Sequence, residues 1–383
     1  MDNVFGDNTK KLGFGLMRLP MTDSNEWGAV DLELTKKMVD AFMERGFTYF
    51  DTAWMYCGFN SESAVKPCIT DRYPRESFTL ATKLHGGFFD TPEGMDDIFR
   101  QQLEKTGAGY FDYYLLHDIG EDHYRKYTQM GSFEWLAEKK KAGLVRHIGF
   151  SYHDQADLLD RVLTEHPEME FVQLQLNYLD WESEAIQSRR CYEVCMKHDK
   201  PVIVMEPCRG GTLVNNIPED VEQMFRSYNP DASIASWAIR FAASQPGVKM
   251  VLSGMGSMDM MLDNTEYMQD FVPLNEEETK IVFQAAERIN ANIAIKCTGC
   301  AYCVDGCPMN IPIPKYFALY NAEKQEYEGK GFTPQGGYYN RLTENFGKAS
   351  ECVECGQCED VCPQHLPIRE HLKSVAELFE GNG

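Results

Sequence analysis

The sequence predicts an α/β fold, a (β/α)8 barrel of the TIM type, followed by a small, mainly helical domain. Between Lys11 and about Met255, short apolar, β-rich runs alternate with longer segments of helical period, the signature of a parallel α/β fold. Eight such runs can be counted, and eight strand-and-helix units close a barrel rather than leave an open sheet. Thirteen cysteines are present, and eight of them crowd into two groups beyond residue 296, which marks a second unit. The expected division is 1–272 for the barrel, 273–295 for a connecting helix and 296–383 for the C-terminal domain.

The eight runs are 11–17 (KLGFGLM), 47–53 (FTYFDTA), 78–84 (FTLATKL), 111–117 (FDYYLLH), 146–152 (RHIGFSY), 171–176 (FVQLQL), 201–206 (PVIVME) and 249–254 (KMVLSG). Gly13-Phe14-Gly15 in the first reads as a tight turn; it lacks the third glycine and the acidic partner of a dinucleotide fingerprint. Asp51, Lys83 and His117 fall at the ends of the second, third and fourth runs. The C-terminal ends of barrel strands are where such a fold keeps its reactive groups. The Met255 to Met261 run is expected to face the core, and Cys191 and Cys195, one turn apart, to be packing residues. An eighth helix over about 257–268 should run down the barrel. The amphipathic stretch Leu274 to Asn292 spans about 28 Å as a helix and should bring the chain back to the top before Cys297. Beyond it, Pro314 to Glu328 has helical character, and a Gly/Tyr/Pro-rich loop is expected around Phe332 to Tyr339.

Charge and patterning exclude several functions. With 37 basic against 59 acidic side chains the net charge is −22, which repels nucleic-acid phosphates and anionic lipid alike. No apolar stretch reaches the ~20 residues of a spanning helix, and the start Met1 to Asp7 lacks a basic region followed by an apolar one. A cytoplasmic protein is expected. Cysteines with metal-ligand spacing point to a reducing compartment; the other five, Cys57, Cys68, Cys191, Cys195 and Cys208, read as inert packing residues.

The cysteine groups are Cys297-Thr-Gly-Cys300-Ala-Tyr-Cys303-Val-Asp-Gly-Cys307-Pro308 and Cys352-Val-Glu-Cys355-Gly-Gln-Cys358-Glu-Asp-Val-Cys362-Pro363. The pattern C-x2-C-x2-C-x3-C-P occurs twice, and three thiolates at this spacing wrap three corners of one [4Fe–4S] cube. The alternative is a pair of zinc sites, which more usually present two separated C-x2-C pairs. The tail resembles two-cluster ferredoxins, and that resemblance implies exchange of the fourth ligand: Cys297, Cys300, Cys303 and Cys362 for one cluster, Cys352, Cys355, Cys358 and Cys307 for the other. The long spacer 308–351 is more like the helical two-cluster modules of larger redox complexes. Such clusters imply an oxygen-sensitive protein suited to anaerobic conditions.

Phe50-Asp51-Thr52-Ala53 is followed by Tyr56, and Ala81-Thr82-Lys83 and Leu115-Leu116-His117 end the next two runs. With these motifs in order, the chain over residues 11 to about 268 resembles the aldo/keto reductase superfamily. Ile148-Gly149-Phe150-Ser151 and Gln173 match places where the family holds a nicotinamide carboxamide, and Gln245-Pro246-Gly247-Val248 leading to Asn264 matches its last strand and cofactor-binding helix. The resemblance implies Tyr56 as general acid/base, Lys83 as its cationic partner, Asp51 as the anchor of Lys83, and His117 as the group that orients a carbonyl. The chemistry needs these types: an alkoxide forming in hydride transfer requires a proton donor, and a phenol near pKa 10 needs a cation to cycle. It also departs from the family. The phosphate-clamping positions after the eighth strand hold Gly254 and Met260, and no basic residue lies between Gly254 and Tyr267, which argues against a strong NADP preference. Met205, with Glu206 beside it, stands where a ring often stacks on nicotinamide. Arg209, Gly210 and Gly211 can meet a pyrophosphate or form a plain loop.

Two enzymatic readings follow, with a third from another class. In the first, a small carbonyl or alcohol is converted with NAD(P)(H), the clusters being accessory. Clusters move single electrons and nicotinamide moves hydride, so coupling them calls for a flavin or a radical. In the second, ferredoxin or flavodoxin feeds electrons through the clusters to a substrate or flavin. In the third, the chain is a non-catalytic electron-transfer subunit whose barrel is only a docking platform.

Overall fold

The computed structural model describes residues 4–381, apart from 7–8, 23–27, 184–185, 216, 292, 298, 305, 327–332 and 363. Most of the amino-terminal segment read for a leader, the start of the predicted loop at Phe332, and Pro363 lie outside the described residues. Eight parallel strands close a barrel in sequence order: β1 (Leu12–Gly15), β2 (Tyr49–Asp51), β3 (Thr79–His85), β4 (Phe111–Ile119), β5 (Val145–Tyr152), β6 (Phe171–Gln175), β7 (Val202–Met205) and β8 (Val248–Ser253), with β8 pairing back to β1. Each strand lies within two residues of the run that predicted it.

The helices packed around the barrel are α1 (Leu32–Glu44), α2 (Ser61–Val65), α3 (Pro92–Thr106), α4 (Glu121–Gln129), α5 (Ser132–Lys141), α6 (Ala156–Glu165), α7 (Ser188–Lys197), α8 (Glu219–Tyr228), α9 (Ile234–Ser244) and α10 (Met258–Gln269). Their ends are written in the sequence. Asp31 caps α1 by accepting from Leu34 N–H. Thr91 caps α3 with Pro92 in its first turn, and Gly107, at φ 64°, ends it in the left-handed conformation that costs glycine little. In α10, Met261 is buried as expected, but Met260 is 51% exposed. The helical period turns it away from the core, which corrects the reading of that run as wholly core-facing.

Inside the barrel, Tyr49, Ala81, Tyr113, Leu115, Phe171, Ile203, Met250 and Leu252 form a core of their own. Val4 and Phe5 close it: the Phe5 ring stacks on Tyr113 at 5.1 Å, and Tyr113 Oη donates to Val4 O at 2.8 Å. Packing between β5 and β6 tolerates no added carbon. A Cβ at Gly149 would sit 2.5 Å from Phe171 O, a backbone atom that cannot move aside alone. Gly149→Ala should therefore destabilise the barrel by about 1–3 kcal/mol, read as a lowered thermal midpoint; an unchanged midpoint would contradict this packing.

After the barrel, α11 (Glu276–Ala291) buries Val282, Ala285 and Ala286 in the main core. A second core gathers Ile295, Ile311, Tyr316, Phe317, Tyr339, Ile368, Leu372 and Val375 around Cys303 and Cys358. Its helices are α12 (Ile313–Lys324), α13 (Gln335–Thr343) and α14 (Ile368–Phe379). The segment expected as a loop ending at Tyr339 is helical from Gln335 onward. Two adjacent glycines, Gly336 and Gly337, lower the local propensity, but Tyr339 is packed between Tyr316 and Phe379, with ring centroids at 4.6 and 4.9 Å. Tertiary burial outweighs propensity there.

This module sits on the C-terminal mouth of the barrel. From α13, Arg341 Nη2 lies 2.7 Å from Asp118 and its Nε 2.9 Å from Asp122. Tyr338 Oη is 3.0 Å from His153 Nδ1. Ala322 O of α12, and Gln325 Oε1 just beyond its end, accept from Arg209 at 3.2 and 3.0 Å. Among the described residues, no helix is long and apolar enough to cross a membrane.

Candidate active site and cluster cavities

The parallel register carries the candidate catalytic groups to one rim. Asp51 pairs with Ala81 across β2 and β3, Lys83 with Leu115, and His85 with His117. The turn after β2 then brings Tyr56 inward; Cys57, Gly58 and Phe59 within it take left-handed φ values of 52°, 58° and 70°, backbone strain that for the two non-glycine residues the surrounding packing must hold.

Lys83 is fully buried, and its Nζ donates to Asp51 Oδ1 at 2.5 Å and to Thr52 O at 2.7 Å. The same Nζ stands 4.8 Å from the centre of the Tyr56 ring. The Tyr56 and His117 rings meet edge to face at 5.8 Å. All four predicted residues are therefore brought together. Burial, then the charges of Asp51, Glu206 and Asp118, push the Tyr56 phenol well above its ordinary value, so it holds its proton. Burial, then Lys83, pushes His117 well below the ordinary histidine value and keeps it neutral. Burial presses Lys83 down and Asp51 up, against the attraction between the two.

Sequence reasoning missed the support beneath this group. Glu62, on α2, is fully buried and accepts from Thr82 Oγ1 at 2.6 Å and Gln102 Nε2 at 2.7 Å; Gln102 Nε2 also donates to Lys83 O at 3.0 Å. A glutamate on an outer helix ordinarily reads as solvated. Also missed was Asp118, next to His117, at φ 62°. His85, His123, His153 and Arg341 surround its carboxylate and, outweighing burial, hold it well below the usual carboxylate range. His85, Asp118 and His123 have a spacing a metal could use. The tautomers speak against it: Gly87 N–H donates to His85 Nδ1 at 2.9 Å, leaving the proton on Nε2, and His123 Nδ1 faces Asp118 O at 2.8 Å. Both rings thus turn N–H groups, not lone pairs, toward Asp118: His85 Nε2 lies 3.6 Å from its carboxylate, and His123 Nδ1–H donates to its backbone carbonyl.

The residues expected around a nicotinamide are partly assembled. Ser151 is buried, with Oγ accepting from Asp118 N–H at 2.8 Å. Gln173 Oε1 is buried without a partner, while its Nε2 lies 3.6 Å from Met205 Sδ. Asn264 Nδ2 donates to Ser253 Oγ at 2.9 Å. Gly254 is open to solvent, and Gly210 and Gly211 have φ of 61° and 101°. Arg209 is placed elsewhere: buried, bonded to α12 and close to Asp180 and Glu326.

The eight motif cysteines line two cavities. One is bounded by Cys297, Cys300, Cys303 and Cys362 with Ile313, Phe317 and Leu366, the other by Cys307, Cys352, Cys355 and Cys358 with Met309, Ile311 and Leu372. The fourth cysteine of each motif thus faces the other motif's triplet. Backbone N–H groups of Gly299 and Ile311 point at Cys297 and Cys307 Sγ, each at 3.5 Å, as suits thiolate sulfur. A donor set of four thiols around an apolar cavity fits an iron–sulfur cube. Cys57, Cys68, Cys191 and Cys195 are buried away from these cavities.

Comparison with known proteins agrees with both halves. Residues 11–287 match the model of the aldo/keto reductase family, and residues 296–366 match that of a 4Fe-4S dicluster domain. An uncharacterized oxidoreductase, YqkF, of Bacillus subtilis is 23% identical over 277 residues, 63% of this chain and 84% of that protein. A 9,11-endoperoxide prostaglandin H2 reductase of Trypanosoma cruzi is 25% identical over 233 residues, 58% of this chain and 75% of that one. Among solved structures, the aldo-keto reductase AKR11C1 of Bacillus halodurans, in its holo form, superposes with a TM-score of 0.58 at 22% identity, covering 72% of this chain and 91% of its own. A Klebsiella pneumoniae aldo/keto reductase in complex with NADP and acetate gives 0.58 at 20%, with the same coverage. At these identities the structures speak for the fold alone. The barrel, its rim and the family match together make this chain a member of the aldo/keto reductase family, an oxidoreductase whose barrel is followed by a 4Fe-4S dicluster domain.

Proposed function

We propose that the barrel reduces a small-molecule carbonyl, or oxidises the matching alcohol, with Tyr56 as proton donor and acceptor. The observation that carries this reading is the buried contact of Tyr56 with Lys83 and His117, with Asp51 behind Lys83. Tyr56, kept protonated by its surroundings, gives its proton to the carbonyl oxygen as negative charge builds there; Lys83 stabilises the phenolate left behind. Neutral His117 donates a hydrogen bond to the same oxygen and orients it. Ser151, Gln173, Met205, Gly210, Gly211, Gly254 and Asn264 would hold a nicotinamide dinucleotide, and the orphaned Gln173 Oε1 fits an amide N–H of its carboxamide. When bound, that cofactor supplies the hydride. The two cysteine sets named above would each hold one [4Fe–4S] cluster, which supplies single electrons.

One observation favours the second reading, in which ferredoxin or flavodoxin drives the barrel through the clusters. Arg209 is occupied by α12 and so is not turned toward a pyrophosphate. Anaerobically purified protein decides between the two. Hydride consumption from NADH or NADPH on adding carbonyl substrates supports the first; turnover with reduced ferredoxin and none with either nucleotide supports the second. A cytoplasmic location belongs to the same proposal.

The proton assignments give a pH prediction. Tyr56 titrates above its ordinary value near 10, so the acid form persists throughout the neutral and mildly alkaline range. His117 titrates well below its ordinary 6.5, so it stays neutral down past that value. The rate of carbonyl reduction should thus show no acid limb near pH 6.5; a kcat profile that halves there would contradict the neutral role of His117.

A further inference from the structure

Arg18 ends the short helical turn Leu16–Arg18 that follows β1. The turn is pinned from below: Leu16 O accepts from Ser61 Oγ at 2.9 Å and from Cys57 Sγ at 3.4 Å, and Met17 O also accepts from Cys57 Sγ at 3.4 Å. The side chain of Arg18 lies across Gly254, the first residue after β8. A Cβ on Gly254 would meet Arg18 Cβ, Cγ and Cδ, each at 3.3 Å, and one on Gly256 would meet Arg18 O at 3.2 Å. Gly254 is bare where the arginine stem passes, and Gly256 is bare where the Arg18 carbonyl comes close. Arg18 is half-buried, yet among the described residues its guanidinium makes no hydrogen bond, ion pair or ring contact. In a chain with 59 acidic against 37 basic side chains, a half-buried arginine with no acidic partner among the described residues is unexpected. Arg209 and Arg341, on the same rim, are both engaged by carboxylates.

We propose that Arg18 is the phosphate-binding cation of the barrel's dinucleotide groove, reaching from β1 into the place that Gly254 leaves without a side chain after β8. The ligand is a phosphate ester of a nicotinamide dinucleotide, either the bridging pyrophosphate or the 2′-phosphate. The inference rests on the nicotinamide reading above. A guanidinium offers a planar fork of donors that matches phosphate oxygens two at a time. Neither Met260, which is apolar, nor Arg209, which is bonded to α12, supplies one. The absence of basic residues between Gly254 and Tyr267 therefore does not leave the groove without a cation.

Binding of NADPH, NADH and inorganic pyrophosphate to the anaerobically purified full-length protein tests this, by calorimetry on the wild type, Arg18→Met and Arg18→Lys. Arg18→Met should weaken binding roughly 10- to 100-fold, the effect of losing a charge-assisted contact, and Arg18→Lys should recover part of it. Weakening confined to NADPH places the 2′-phosphate on Arg18; equal weakening for NADPH, NADH and pyrophosphate places the bridging pyrophosphate there. Gly254→Ala, which displaces the arginine stem, gives a second variant with weakening in the same sense. Unchanged affinity for all three in Arg18→Met, at wild-type iron content and melting temperature, overturns the assignment. Arg18-dependent binding of pyrophosphate with no binding of either dinucleotide keeps the anion site and sinks the nicotinamide reading. A wild type that binds none of the three refutes both.

Discussion

Tyr56→Phe is expected to lower kcat for carbonyl reduction by about 10²- to 10⁴-fold with little change in KM, because it removes one hydroxyl and nothing else. The ring would keep its edge-to-face contact with His117 and its place beside Lys83, so substrate binding and stability should hold. The change acts on the step in which negative charge builds on oxygen, where a donor is worth most. Steady-state kinetics at saturating substrate, with iron content as a control for the module, would measure it. Retention of more than a tenth of wild-type kcat would mean that another group donates the proton, and would remove the main support for the proposed function. The electron-fed reading predicts a similar loss, since a carbonyl oxygen must be protonated whichever way its electrons arrive.

The second large effect is expected in the module. Cys362→Ala should cost the cluster bounded by Cys297, Cys300 and Cys303 and leave the other in place, so that iron and sulfide per chain fall by about half. The expectation depends on exchange of the fourth ligand between motifs, since Cys362 follows Cys358 in sequence but lines the cavity of the first triplet. Iron analysis and electron paramagnetic resonance of the reduced protein would report which cluster survives. Loss of the cluster held by Cys352, Cys355 and Cys358 instead would show that each motif keeps its own fourth cysteine. A bound cluster ties together segments that the small core cannot hold strongly alone, so the variant should also lower the melting temperature of the module.

Much of this architecture is legible without coordinates because it is local. Eight apolar runs set the eight strands, since a parallel strand covered on both faces must be apolar throughout. Asp31, Thr91 and Gly107 mark helix ends through their own hydrogen bonding and backbone freedom. The cysteine motifs carry their ligand spacing within a few residues, and Asp51, Tyr56, Lys83 and His117 sit at strand ends that a barrel must gather on one rim. What fails to show in the sequence depends on which distant segments meet. Helix α13 forms despite Gly336 and Gly337, because Tyr339 is buried between two rings from other helices.

By itself, then, the sequence determined the barrel, the tandem cysteine motifs and the four residues of the rim, each through short-range pattern or spacing. Only the tertiary structure decided what those parts face. It laid the module over the mouth through Arg341 on Asp118, turned Arg209 from the groove into α12, and left Arg18 beside Gly254 with no partner among the described residues. The physical reason is that a charged side chain's role is set by what it meets after folding. Arg209 and Arg18 are alike as residues; folding brings Asp180, Glu326 and the Ala322 carbonyl to the first, and among the described residues brings no such group to the second.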